Sequence, residues 1–104
     1  MAVKHLSDSD FQEFIADGIA VVDFWATWCG PCRTFGPVFE AVSENHPGVK
    51  FGKFEITDQN KEIPVRYGIR SIPATIAFKN GAPVDTKIGL MDGGMLGDWI
   101  KALS

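Results

Sequence analysis

The chain has 104 residues, of which 45% are hydrophobic, and this size and composition suit one domain with one core. A formal net charge of -3 gives no excess of basic residues for binding nucleic acid or an anionic membrane. No apolar run approaches the roughly 20 residues of a membrane-spanning helix. From these three observations we predict a single domain over residues 1–104 that binds neither nucleic acid nor membranes.

The first half of the chain predicts a helix, a buried strand and a longer helix. Ser7, followed by acidic residues, is typical of a helix N-cap. An apolar stripe at helical spacing follows, formed by Phe11, Phe14 and Ile15. Residues 19–25 are continuously apolar except for Asp23, which is typical of a strand buried on both faces. After the cysteines, apolar residues again recur at helical spacing and predict a longer helix with an apolar face of Phe35, Val38, Phe39 and Val42. We expect this helix to kink at Pro37.

The second half predicts a strand, a short helix, a hairpin and a closing helix. Residues 49–56 have the composition of a strand, and residues 58–68 hold at most a short helix. Asn80-Gly81, between the apolar segments of residues 74–88, is the strongest short-range signal of a β-hairpin. Pro83 favours an edge position for the returning strand. The closing helix has an apolar face of Leu96, Trp99, Ile100 and Leu103.

The chain's only two cysteines, Cys29 and Cys32, enclose Gly30-Pro31 and allow three interpretations. A zinc site usually needs four ligands, and neither a second Cys-x-x-Cys nor a suitably spaced histidine pair is present. Two inert buried cysteines fit poorly, because Gly and Pro favour a turn. The start of the chain has no apolar segment typical of a secretory signal, so we expect a cytoplasmic protein whose cysteines are not structural. A redox-active pair beside a βαβ pattern is favoured, and we predict no metal.

The position of the cysteines, between the buried strand and the long helix, indicates their separate roles. Free N–H groups and the dipole at a helix N-terminus favour a thiolate and lower the pKa of a thiol there. Cys29 precedes the helix and should be the more exposed thiol and the attacking one. Cys32 lies inside the first turn and should be shielded, while Pro31 suits a position whose N–H would have no partner.

Asp23 is the only carboxylate in the apolar strand that leads to the cysteines. It is either a residue at a strand end that reaches water or a buried carboxylate. Strand alternation places Asp23 on one face with Val21 and Trp25, and a helix packed there would bring it beneath Cys32. Burial would raise its pKa and make it a candidate proton acceptor near neutral pH. Lys53, in the middle of the second predicted strand, either extends to solvent or is the partner of Asp23.

Three segments together resemble the thioredoxin family: "WATWCGPC" its active-site signature, "YGIRSIPA" (67–74) the segment with its cis-proline, and "FKNG" (78–81) its hairpin turn. The resemblance covers essentially the whole chain. It implies an α/β fold, the thioredoxin fold, in which a central mixed β-sheet is flanked by four helices in one domain.

The resemblance also implies the roles of individual residues. Cys29 would be the nucleophile and Cys32 the resolving thiol, and the two would form a disulfide when oxidised. Asp23 would accept the proton of Cys32, with Lys53 as its ionic neighbour. Gly30 and Pro31 would set a reducing potential. A shallow groove for an extended substrate would be lined by Trp28, Ile72, Pro73 and Gly89, with a cis Ile72–Pro73 bond facing the disulfide.

The activity expected from this resemblance is that of a protein-disulfide reductase without a cofactor. Its partners would be proteins that contain disulfides and a flavin-containing thioredoxin reductase as the electron donor, and we expect a monomer. Two alternatives stay open at this point. One is an isomerase or oxidase of an oxidising compartment, which a measured redox potential would identify. The other is a binding module of a larger assembly, in which the cysteines are incidental.

Overall fold

The computed structural model describes residues 3–103, which form a five-stranded sheet with helices on both faces. The elements in chain order are β1 (Val3–Leu6), α1 (Phe11–Ile15), β2 (Ile19–Trp25), α2 (Gly30–Ser43), β3 (Lys50–Glu55), α3 (Glu62–Arg66), β4 (Ala74–Lys79), β5 (Ala82–Ile88) and α4 (Gly93–Ala102). The strand order is β1-β3-β2-β4-β5. The pairs β1–β3 and β3–β2 are parallel, whereas β2–β4 and β4–β5 are antiparallel. The predicted mixed sheet with four flanking helices is therefore confirmed, while the bounds 1–104 of the domain stay a prediction.

The first strand, β1, was not predicted, and the expected N-cap at Ser7 is wrong. β1 has only four residues, two of which are the polar Lys4 and His5, and it becomes a strand by pairing with β3 at the sheet edge. The helix α1 begins at Phe11, after Asp10. The Ser7 N–H donates to the Asp10 carboxylate over 2.7 Å, so these polar residues stabilise the turn that enters the helix.

The central strand β2 separates two apolar clusters, as its nearly continuous apolar sequence predicts. On one face, Val21 packs with Phe35 and Phe39 of α2. On the other face, Phe24 packs with Phe11 and Phe54. Phe11 in turn packs with Tyr67 and Phe78. Full burial of a large apolar side chain contributes roughly 1.5–3 kcal/mol, so these two clusters hold both helical layers against the sheet.

The predicted hairpin is confirmed, with Asn80 and Gly81 both at positive φ (51° and 89°). Two successive residues in the left-handed region are what a type I′ turn requires, and the Asn-Gly pair tolerates this at low cost. The strand β5 lies at the sheet edge, and its register with β4 shifts next to Pro83, in agreement with the predicted edge position. The helix α2 contains Pro37, but the kink expected there stays a prediction.

We expect Gly52→Ala to lower the free energy of unfolding by about 1–3 kcal/mol, the usual cost of overpacking a core. A Cβ at Gly52 would lie 2.6 Å from Leu6 Cδ1 and 2.9 Å from Phe14 Cε2, so the side chains that β1 and α1 pack over β3 would have to shift. Urea denaturation measures this change. Gly48→Ala is the matched control, because a Cβ there would meet no atom of the described residues within 4 Å. Equal stability of the two variants would contradict the close packing of α1 on β3.

Candidate active site

The two cysteines lie where β2 gives way to α2, and they are joined in a disulfide with their Cα atoms 5.2 Å apart. Cys29 is the N-cap residue of α2, and the backbone N–H of Cys32 donates to its Sγ over 3.2 Å. Pro31 occupies the first turn, where its missing N–H costs no hydrogen bond. Arg33 donates from Nη1 to the Thr27 carbonyl over 2.9 Å and so fastens the preceding loop to the helix. The structure therefore contains the oxidised form of a cysteine pair placed at a helix N-terminus.

The two sulfur-bearing residues differ less in exposure than the sequence predicted. Cys29 is 6% exposed and Cys32 is 2% exposed, so Cys29 is the more accessible residue by a small margin. The adjacent Trp28 is 75% exposed and stands out from the surface beside the disulfide. The two residues therefore differ mainly in position, because Cys29 is the N-cap residue of α2 and its Sγ accepts a hydrogen bond from the N–H of Cys32.

The predicted groove residues lie near Cys29. The Ile72 carbonyl oxygen is 3.8 Å from Cys29 Sγ, and since a disulfide sulfur carries no hydrogen, this distance marks proximity. The Ile72–Pro73 peptide bond is cis, as predicted. The Gly89 N–H donates to the Pro73 carbonyl over 2.8 Å, which ties the end of β5 to the start of β4. The structure thus places Ile72 beside Cys29. Gly89 is joined through its backbone hydrogen bond to Pro73, the next residue after Ile72, and Trp28 directly precedes Cys29.

Asp23 is fully buried in β2, so the alternative in which it reaches water is wrong. It lies in register with Lys53 of β3 and Thr75 of β4. Among residues 3–103, neither carboxylate oxygen of Asp23 has a hydrogen-bond partner, and the buried Thr75 hydroxyl also lacks one. Val21, two residues earlier, packs against α2, so strand alternation directs Asp23 toward the helix that carries Cys32.

Burial of the carboxyl group raises the pKa of Asp23 from its ordinary 3.8 to about 7. The positive charge of Lys53 opposes this rise, and the negative charge of Glu40 adds to it. A carboxyl group whose pKa lies near neutral pH can exchange a proton under ordinary conditions.

Lys53 forms its ion pair with Glu40, a residue that the sequence did not single out. The Lys53 Nζ is 3.2 Å from Glu40 Oε2 and 4.9 Å from the centre of a Trp25 ring. Among the described residues, no ion pair joins Lys53 to Asp23, the expected partner, and the charge of Lys53 acts on Asp23 by lowering its pKa. The sequence held one usable signal, because Gly36 and Glu40 follow Cys32 at intervals of four and therefore share one face of α2.

The described residues were expected to hold neither a metal site nor a membrane-spanning helix. Within residues 3–103, no three His, Cys, Asp or Glu side chains are grouped closely enough to hold a metal ion. No helix in that same range has the length and apolar character to cross a membrane.

Comparison with known proteins identifies relatives over nearly the whole chain. The thioredoxin family profile matches residues 2–102. A thioredoxin of Rickettsia felis is 46% identical over 101 residues, which cover 94% of this chain and 95% of the relative. A thioredoxin of Rickettsia prowazekii is 46% identical over 102 residues, covering 95% and 96% of the two chains. A thioredoxin of Staphylococcus aureus is 40% identical over 90 residues, covering 86% of each.

Proposed function

Because the chain belongs to the thioredoxin family and is therefore a thiol–disulfide oxidoreductase, we propose that it reduces disulfides of other proteins by the successive action of Cys29 and Cys32. The observation that carries the proposal is the cysteine pair at the N-terminus of α2, closed as a disulfide beside an exposed Trp28. A loop closed over so few residues gains little entropic stabilisation, so the value of this disulfide lies in opening and closing.

In the first step, the Cys29 thiolate attacks one sulfur of a substrate disulfide. A bond forms between that sulfur and Cys29, the substrate bond breaks, and the second substrate sulfur leaves as a thiolate. The N-terminus of α2 and the N–H of Cys32, which lies 3.2 Å from Cys29 Sγ in the oxidised form, stabilise negative charge on Cys29. These features make Cys29 the attacking residue.

In the second step, Cys32 loses its proton and attacks Cys29. The Cys29–Cys32 bond forms, the mixed disulfide breaks, and the substrate sulfur leaves as a thiolate, so the substrate is reduced and the cysteine pair is oxidised. A shielded thiol ionises poorly at neutral pH and needs a base. Asp23, buried on the face of β2 that α2 covers and with a pKa of about 7, supplies that base, with Lys53 as a nearby charge.

The substrate lies along the surface formed by Trp28, Ile72, Pro73 and Gly89. The position of the Ile72 carbonyl, 3.8 Å from Cys29 Sγ, supports pairing of an extended substrate segment with this backbone next to the reacting sulfur. Gly30 and Pro31 set the reducing potential. The protein holds no cofactor in this scheme and works as a monomer, with a thioredoxin reductase as electron donor.

A redox equilibrium with glutathione tests the direction of the reaction. We expect the cysteine pair to have a potential at or below the cytosolic glutathione poise of roughly -220 to -260 mV. The measurement is the fraction of alkylated thiol in buffers of stepped glutathione ratio. A potential near -120 mV, about that of a strong disulfide oxidase, would contradict the reductase function and favour an oxidase.

A further inference from the structure

The side chain of Lys53 turns toward α2. Lys53 and Asp23 face each other across paired strands, yet the ammonium group of Lys53 is held by Glu40 at 3.2 Å and lies over a Trp25 ring at 4.9 Å. The side chain of Lys53 is only 11% exposed and that of Glu40 is 37% exposed, so this ion pair is partly shielded from solvent. A shielded cation is attracted more strongly by its neighbours than one in water.

Gly36 provides the space that this position of Lys53 requires. Gly36 is buried on α2, and a Cβ at that residue would lie 3.0 Å from Lys53 Nζ. The ammonium group therefore occupies the volume that a larger side chain would take. Gly36 and Glu40 are one helical turn apart, on the face of α2 that also carries Cys32. Gly36 leaves space for the ammonium group of Lys53, and Glu40 supplies the negative charge that pairs with it.

We propose that Glu40 is a positioning residue, which holds the ammonium group of Lys53 against Gly36 and so limits the action of that cation on Asp23. The consequence for proton transfer rests on the proposed role of Asp23, whereas the position of Lys53 does not. Glu40 acts through Lys53 and needs no contact with the cysteines or the substrate.

The charges around Asp23 determine whether its pKa should rise or fall when Glu40 is replaced. In the sheet, Asp23 lies between Lys53 of β3 and the uncharged Thr75 of β4. From α2, the charge of Glu40 acts on the pKa of Asp23. The two cysteines carry no charge, because they are joined in a disulfide. Glu40→Gln removes a negative charge that raises the pKa of Asp23, and it also frees Lys53 to approach Asp23. Both changes lower the pKa of Asp23, which would then be ionised at lower pH and would be a weaker base.

The test is a carbon NMR titration of the Asp23 carboxyl group in the oxidised protein, where neither thiol titrates. We expect Glu40→Gln to lower the pKa of Asp23 by about one pH unit, the scale of an opposite charge that comes within reach of a carboxylate. Glu44→Gln is the matched control, because it removes the same charge four residues later, from the exposed C-cap residue of α2. It should leave the titration of Asp23 within about 0.3 unit of the parent protein, since exposed charges are screened.

The same substitution in a protein without Lys53 separates the two ways in which Glu40 can act on Asp23, by positioning Lys53 or directly through its own charge. In the Lys53→Met protein, Glu40→Gln should shift the titration of Asp23 by less than half as much as in the parent, because no cation is left to release. Equal shifts in both backgrounds, or no shift in either, would overturn the proposal. A shift that appears as expected, together with unchanged exchange rates at every pH, would support the positioning of Lys53 and would argue against Asp23 as the proton acceptor.

Discussion

Cys29→Ser is expected to lower the rate of disulfide exchange to the background rate, whereas Cys32→Ser should still react with substrate and then stop. A serine hydroxyl cannot form a disulfide, so without Cys29 the first step has no nucleophile. Without Cys32, the mixed disulfide between Cys29 and the substrate has no nearby thiol to resolve it. Mass spectrometry of the intact protein after incubation with a disulfide-containing protein measures both outcomes, and we expect covalent adducts on Cys32→Ser only.

The variant with both cysteines replaced by serine is the control for noncovalent association, and it should show no adduct under the same conditions. The two single substitutions are matched in size and chemistry and differ only in position on α2. Adducts of similar yield on Cys29→Ser and Cys32→Ser would contradict the assignment of separate roles.

Asp23→Asn is expected to slow resolution of the mixed disulfide at neutral pH by on the order of 10²-fold, the lower end of what a positioned general base contributes. The amide keeps the shape of the carboxyl group but cannot accept the proton of Cys32. At alkaline pH, Cys32 ionises without help, so the rates of the parent and the variant should converge. Stopped-flow measurement of product release across this pH range provides the comparison. Equal rates at neutral pH would show that Asp23 has no part in proton transfer.

The same substitution should raise stability, and the gain should depend on pH. The pKa of Asp23 is about 7 in the folded chain and 3.8 ordinarily, so the folded state retains a proton that the unfolded state releases between these values. The contribution of Asp23 to stability therefore falls as the pH rises through this window and is lowest above pH 7. The free energy of unfolding of Asp23→Asn should equal that of the parent below pH 4 and should be larger by up to about 4 kcal/mol above neutral pH.

Urea denaturation of the oxidised proteins at several pH values measures this difference. Asp58→Asn is a suitable control for the loss of one negative charge, because the Asp58 side chain is almost fully exposed and its ion pair with Lys61 is long. Exposed pairs of this kind contribute roughly 0–1 kcal/mol, so the control should show a small effect. A gain for Asp23→Asn that does not change with pH would mean that ionisation of Asp23 is not its source.

Local chemistry explains which elements of the fold were predictable. The hairpin follows from Asn80-Gly81, because the conformation of the turn is decided by those two residues alone. The strand β2 follows from its apolar sequence, since a strand covered on both faces needs few polar residues. The strand β1 could not be predicted, because four residues with Lys4 and His5 among them form a strand only when β3 is beside them.

In the candidate site, too, the local features were predictable from the sequence and the contacts between distant elements were not. The cysteine pair is a local motif, and a single acid in an apolar strand identified Asp23. The ion pair of Lys53 with Glu40 joins a strand to a helix and depends on space left by Gly36, so nothing near Lys53 in the sequence indicates it. The register of β2 and β3 places Lys53 next to Asp23, as proposed from the sequence, but the direction of a long side chain is decided by packing across the helical layer.

The decisive experiment is turnover of a protein disulfide, with a thioredoxin reductase as the only electron source and this protein in catalytic amount. We expect many turnovers of substrate reduction per molecule, and loss of turnover when Cys29 is replaced by serine. Reduction that stops at one equivalent, or that continues at the same rate with Cys29→Ser, would contradict a protein-disulfide reductase that works through the Cys29–Cys32 pair.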